Sequence, residues 1–256
     1  MRILCIGDIV SAEGVDYLIQ KLPRLRREYG ADIIIVNGEN SAIGNGIDKI
    51  AYDGIMQAGA DVVTGGNHSF QKKTAGDLHQ DEKRLLRPAN VKEFTDGTGV
   101  ITLDMGRYSL RVINISGSLY MKEECINPFE FMDGVDFSDK RTVTVVDFHA
   151  EATSEKRAMG FLLDGKASLV FGTHTHVQTN DAQVLPNGTG YITDIGMTGV
   201  LHSVLGKDAE VCVHNFKTPA DRQRIQDAKG KCRLSGIFAK IDIETKKCTE
   251  IKAFNI

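Results

Sequence analysis

The sequence predicts an α/β fold, a four-layer α/β/β/α sandwich with two packed mixed β-sheets, from three observations. Short β-branched runs bounded by Gly or polar residues recur in both halves of the chain. Helical patterns separate the first three of them, which is how βαβ units with parallel strands are built. Each half then needs cover on its outer face, and helices outside two facing sheets supply it.

Taken in order, residues 2–7 form the first strand, and residues 13–29 a helix with Val15, Leu18, Ile19, Leu22 and Leu25 at helical spacing and a kink expected at Pro23. Residues 32–37 are the next strand, with Ile33, Ile34, Ile35 and Val36 at its centre; residues 48–58 are an amphipathic helix with Asp48 near its start, and residues 60–64 a third strand. Residues 100–103 and 110–115 read as a hairpin about Gly106 and Arg107. A strand at 142–148, a helix at 151–163 and a strand at 167–171 follow, and a second hairpin, 236–243 with 249–254, turns about Thr245, Lys246 and Lys247. No Pro/Gly/Ser-rich linker, repeat or low-complexity tract interrupts the chain, so residues 1–256 are expected to form one domain.

Five of these strands end in side chains that bind or react. The segment Phe171-Gly172-Thr173-His174-Thr175-His176 places two imidazoles two positions apart at the mouth of a buried strand, where they can point the same way. The others end at Asp8, at Gly38-Glu39-Asn40, at Gly65-Gly66-Asn67-His68 and at His149. Singly, each has an ordinary use: Asp8 as a helix cap, Asn40 and Asn67 as turn residues, His149 as a structural histidine. Together they collect where ligands sit in open α/β sheets, beyond the carboxyl ends of the strands.

The donors number two carboxylates, two amides and three or four imidazoles, without a thiolate, which is too many for one four-coordinate zinc. Two divalent ions sharing a bridging carboxylate fit better. Against two carboxylates they leave a residual charge of about +2, which attracts a phosphate anion and stabilises a bridging hydroxide. Mixed oxygen and nitrogen donors suit manganese, iron or zinc.

The order Gly7-Asp8, Gly38-Glu39-Asn40, Gly66-Asn67-His68, His149 and Gly172-Thr173-His174-Thr175-His176 resembles the calcineurin-like metallophosphoesterases, and specifically their YmdB-like branch, which uses Glu as the bridging carboxylate. Arg87-Pro88-Ala89-Asn90, the segment from Asp147 to Lys156 and Tyr191-Ile192-Thr193-Asp194-Ile195-Gly196-Met197-Thr198-Gly199 resemble the same family, so the likeness spans nearly the whole chain. It implies one metal on Asp8, Glu39, Asn40 and His176 and a second on Glu39, Asn67, His149 and His174, with His68 as a general acid beside them. It also implies the four-layer fold, hydrolysis of phosphodiesters such as nucleoside 2',3'-cyclic phosphates, and iron or manganese as the ions, zinc or magnesium being alternatives. Two positions depart from the family: Ser11 stands where Gly is common, and Ser69-Phe70-Gln71 where an aromatic-acidic pair often follows Asn-His.

Composition agrees with a small-molecule enzyme. At 256 residues and 41% hydrophobic, the chain can fill a sizeable core, and a net charge of −3 argues against a stable nucleic-acid partner. The basic residues at Arg24, Arg26 and Arg27 and over 217–233 read as solvated surface. No apolar span is long enough for a membrane and the N-terminus leads straight into a strand, so a cytoplasmic location is expected. Five cysteines without paired spacing fit reduced thiols, Cys5 in the core and Cys125, Cys212, Cys232 and Cys248 scattered. A serine hydrolase is disfavoured by the missing G-x-S-x-G elbow. A homo-oligomer is compatible with this composition. The reading is a binuclear phosphodiesterase; a phosphomonoesterase on the same site and a nucleotide-sensing regulatory protein are the alternatives.

Overall fold

Ile3, Leu4, Cys5 and Ile6 are all fully buried, because both faces of their strand are covered. The computed structural model describes residues 1–256. The chain begins β1 (Arg2–Ile6), β2 (Asp8–Ile9), α1 (Ser11–Tyr29), β3 (Ile33–Asn37), α2 (Lys49–Gln57), β4 (Val62–Thr64), α3 (Ala75–Asp81), β5 (Val100–Asp104) and β6 (Ser109–Ser116). It continues α4 (Pro128–Asp133), β7 (Thr142–His149), α5 (Thr153–Leu162), β8 (Leu169–Thr173), β9 (Gln183–Val184), β10 (Gly190–Ile192), β11 (Met197–Val200), α6 (Ala209–Lys217), β12 (Cys232–Arg233), β13 (Ser235–Ile241) and β14 (Cys248–Asn255). No helix is long and apolar enough to cross a membrane.

The strands form a mixed α/β architecture. One five-stranded sheet has the order β14-β13-β1-β3-β4, and a six-stranded sheet the order β5-β6-β7-β8-β10-β9. β1, β3 and β4 are parallel, as are β6, β7, β8 and β10; β13, β14, β5 and β9 supply the antiparallel pairings, so both sheets are mixed. Both expected hairpins are present as β5–β6 and β13–β14.

Alternation along each strand sorts the apolar residues into layers. Ile3, Cys5, Ile33 and Ile35 of the first sheet share one core with Val112, Val145, Leu169 and Phe171 of the second. On the opposite face of the first sheet, Leu4, Ile6, Ile34 and Val36 pack against Val15, Leu18, Leu22 and Leu25 of α1 and Ala51 and Ile55 of α2. On the opposite face of the second, Ile113, Val146, Phe148 and Val170 pack with Met159 of α5 and Met132 of α4. Each Val, Leu, Ile, Phe or Met among them contributes roughly 1.5–3 kcal/mol on withdrawal from water.

Several boundaries differ from the sequence reading. The first helix begins at Ser11 and runs unbroken through Pro23, because Pro23 is exposed and the Ile19 carbonyl it deprives of a partner lies on a solvent-facing turn. The helix after His149 starts at Thr153 instead of 151, which leaves Glu151 free to reach the site. Residues 197–200, which overlap a stretch quoted above only for its family likeness, form β11, which pairs parallel with β2 through Met197 opposite Asp8 and Thr198 opposite Ile9. Gly7 permits this pairing, since a Cβ there would lie 1.9 Å from the Gly196 carbonyl oxygen.

Candidate metal centre

The five strand ends meet on one rim, but they come from both sheets. Asp8 lies on β2 just beyond β1, Glu39 and Asn40 follow β3, and Asn67 and His68 follow β4; His149 ends β7, while His174 and His176 follow β8. Ligand atoms of Glu39, His149 and His174 lie within 4.8 Å of one another, as do those of Asp8, Glu39 and His176, so Glu39 belongs to both groups. Asn67 Oδ1 stands 2.9 Å from His149 Nε2. Asn40 Nδ2 donates to Glu39 Oε1 and stands 3.3 Å from His176 Nε2. All seven expected ligands are therefore gathered together.

The hydrogen bonds assign the imidazole tautomers. Thr173 Oγ1 donates its proton to Asp147 Oδ1 at 2.7 Å, so it accepts from His149 Nδ1 at 2.9 Å and leaves a lone pair on Nε2. That lone pair faces Asn67 Oδ1 and, at 3.5 Å, Glu39 Oε2. His174 Nε2 donates to Glu151 Oε2 at 3.1 Å, which turns the Nδ1 lone pair towards His149 Nε2, also at 3.1 Å. His176 Nδ1 donates to the Leu205 carbonyl at 3.2 Å and leaves Nε2 facing Asn40, with Asp8 Oδ1 at 3.9 Å. Each ring is thus anchored through its outer nitrogen and offers the inner one, the arrangement in which histidine binds metal.

Charge and burial fit divalent cations. Burial, reinforced by the negative charge of Asp194, pushes the Asp8 carboxyl up to about 8, and burial with the charge of Asp8 raises Glu39 well above the usual carboxylate range. Burial lowers the pKa of His149, His174 and His176, which favours the neutral, ligating form. Asp8 Oδ1 and Asn40 Oδ1 are buried without a hydrogen-bond partner. Lone pairs facing lone pairs and orphaned buried acceptors are costly unless a cation sits among them.

His68 is placed differently. Its backbone N–H donates to Glu39 Oε2 at 2.9 Å, while its half-buried ring lines the cavity of about 400 Å³ that also exposes His174 and His176. It belongs to neither donor group. Ser11, at the departure from the family pattern, adopts φ 62°, the left-handed region that favours Gly, and its hydroxyl donates to Glu13 at 2.9 Å.

The sequence reading missed the supporting residues. Asp147 is fully buried between the sheets and accepts from Thr64, Thr173 and Asn37; burial pushes its carboxyl up to about 7. An Asp inside the β-branched run of residues 142–148 was the available signal, because such a carboxylate is rarely buried without several donors. Glu151, Lys156 and Asp194 support the His174–His176 segment and carry no comparable local signature.

Fold and donor geometry together define a metallophosphoesterase-type α/β protein. The chain belongs to the YmdB-like protein family, whose sequence profile matches residues 4–254. It is 44% identical over 254 residues to a Bacillus subtilis protein named 2',3'-cyclic-nucleotide 2'-phosphodiesterase, covering 98% of this chain and 96% of that one. A Mycoplasma pneumoniae crystal structure described as a novel phosphatase superimposes with a TM-score of 0.93 at 32% identity, over 100% of this chain and 93% of the other. A hypothetical protein from Thermus thermophilus gives 0.91 at 37% identity, over 100% and 99%.

Proposed function

We propose that this chain is a metal-dependent phosphodiesterase acting on small phosphodiesters, nucleoside 2',3'-cyclic phosphates in particular. The observation that carries the reading is the set of three imidazoles, each anchored by its outer nitrogen and each belonging to one of two donor groups that share the Glu39 carboxylate. The named activity of the Bacillus subtilis relative supports the substrate class.

In this reading Asp8, Glu39, Asn40 and His176 would hold one ion and Glu39, Asn67, His149 and His174 the other; the mixed donors suit manganese, iron or zinc alike, and the family resemblance favours iron or manganese over zinc or magnesium. When bound, such ions supply Lewis-acid charge to the phosphate and acidify the attacking water. The residues do the rest. Glu39 and Asp8 fix the donor spacing, Glu151 and Thr173 hold two imidazoles in the ligating tautomer, and His68, facing the same cavity, protonates the departing sugar oxygen. The shared core between the sheets, with helices beyond each, supports a four-layer α/β/β/α sandwich formed as one domain over residues 1–256.

A phosphomonoesterase on the same site is the second reading, favoured by the description of the Mycoplasma pneumoniae structure as a phosphatase. Metal-stripped protein reconstituted with manganese or iron and assayed on 2',3'-cyclic nucleotides and on nucleoside monophosphates separates the two. Turnover of the cyclic substrates that requires added metal is expected; turnover of monoesters alone would replace this reading with the second.

A further inference from the structure

The cavity over the donor groups is lined by residues of two chemical kinds. His68, His174 and His176 are among them, and so are the apolar Leu205, Phe216 and Ile225. At about 400 Å³ it falls within the range of small-molecule sites, roughly 300–1,000 Å³. Phe216 is 81% exposed, and Leu205 and Ile225 are also exposed. Single exposed apolar residues are ordinary, but three in one cavity beside a set of phosphate-handling side chains mark a surface that covers something.

The segments that carry these apolar residues are fixed in place. Asn215 Nδ2 donates to the Gln223 carbonyl at 2.9 Å, and the Gln223 N–H donates back to Asn215 Oδ1 at 2.7 Å, which binds the segment after α6 to the end of that helix. Lys207 Nζ donates to Asn45 Oδ1 at 2.5 Å and to Asp227 Oδ1 at 2.6 Å, tying the same region to the loop after β3. Leu205 links this apolar group to the donors, since its carbonyl accepts from His176 Nδ1 and the residue also lines the cavity. It does so at φ 53°, a conformation unfavourable for a non-glycine residue and kept where the surrounding structure imposes it.

We propose that Leu205, Phe216 and Ile225 form a nucleobase subsite, with Phe216 as the stacking platform, for a nucleotide whose phosphate lies at the donor groups. The inference rests on the phosphoesterase reading above and extends it to recognition of the base. A flat aromatic ring among aliphatic side chains suits the face of a base of any sequence identity, and this subsite selects nucleotides over other phosphodiesters.

The test compares adenosine 2',3'-cyclic phosphate with the base-free 1-O-methylribose 2',3'-cyclic phosphate on manganese-reconstituted full chain. Phe216→Ala should raise KM for the adenosine substrate about tenfold, the effect of losing one base-aromatic stack, with kcat little changed. The base-free substrate should be unaffected, and Phe216→Trp should retain the preference. Equal losses on both substrates, or none on the adenosine substrate, would overturn the subsite. Calorimetry with adenosine 3'-monophosphate and 1-O-methylribose 3'-phosphate separates this inference from the reading beneath it. Base-dependent binding that Phe216→Ala abolishes, in protein that turns over neither substrate, supports the subsite and removes the phosphodiesterase reading. Turnover and binding that both ignore the base remove the subsite alone.

Discussion

Lys156 Nζ lies 2.7 Å from Asp194 Oδ2, and both side chains are only 1% exposed. Lys156 also donates to the Thr173 carbonyl at 2.8 Å, and Asp194 accepts from Thr175 N at 3.1 Å, from Thr175 Oγ1 at 2.8 Å and from Gly196 N at 2.8 Å. The pair therefore grips a segment in which His174 and His176 adopt φ 99° and 63°. Left-handed conformations at two non-glycine residues are unfavourable, and this buried network is what keeps the imidazoles turned inward.

Asp194→Asn leaves the Lys156 ammonium buried without its partner, so unfolding free energy should fall by about 3–5 kcal/mol. Manganese affinity of the folded protein should fall roughly 10–100-fold as the histidine segment loosens. Denaturant melts and metal titration read the two effects separately; a destabilised protein that binds manganese with unchanged affinity would show that the pair supports the fold alone.

Elemental analysis after manganese or iron loading should find about two ions per chain, the number expected when two donor groups share one carboxylate. Glu39→Gln should weaken both ions together, because a neutral amide bridges cations poorly. His149→Ala should chiefly empty one position. A single ion in the loaded wild type would contradict the shared-carboxylate assignment.

His68→Ala should keep both ions while turnover of a 2',3'-cyclic nucleotide falls by roughly 10²–10⁴-fold, the range for a positioned proton donor. An aryl phosphodiester, whose phenolate leaves without a proton, should be affected much less. Asn67→Ala should impair both substrates. Metal content and the two rates, measured for both variants, settle the role; an equal loss on the two substrates in His68→Ala would make it something other than the acid.

Outside the site, His79 is buried and stacked on Phe70 at 4.7 Å between ring centroids. Burial, aided by the charge of Arg87, lowers its pKa from 6.5 to about 4. The unfolded chain binds a proton to this residue below about pH 6.5 and the folded chain does not until about pH 4, so stability should fall as pH drops through that window. Thermal melts of His79→Gln should show a shallower decline than wild type between those pH values. Parallel profiles would mean that His79 titrates normally in the folded state.

The sequence by itself determined the family and the approximate address of the candidate site. A strand ending in Gly-Asp, Glu-Asn, Asn-His or His is a local pattern, because β-branched runs and the glycines that stop them depend on near neighbours. The two hairpins and the start of α2 at Asp48, whose side chain accepts from Ala51 N, were legible for the same reason. What only the tertiary structure decided is which strands share a sheet and what stands behind each expected ligand. The His174 N–H meets Asp8 Oδ2 across 166 residues, and Thr64 reaches Asp147 across 83. β11 pairs with β2 because Gly7 allows the Gly196 backbone to approach, a contact that no local pattern announces. Such contacts form when burial brings distant segments together and leaves their polar groups only one another as partners, a condition that no window of neighbouring residues contains.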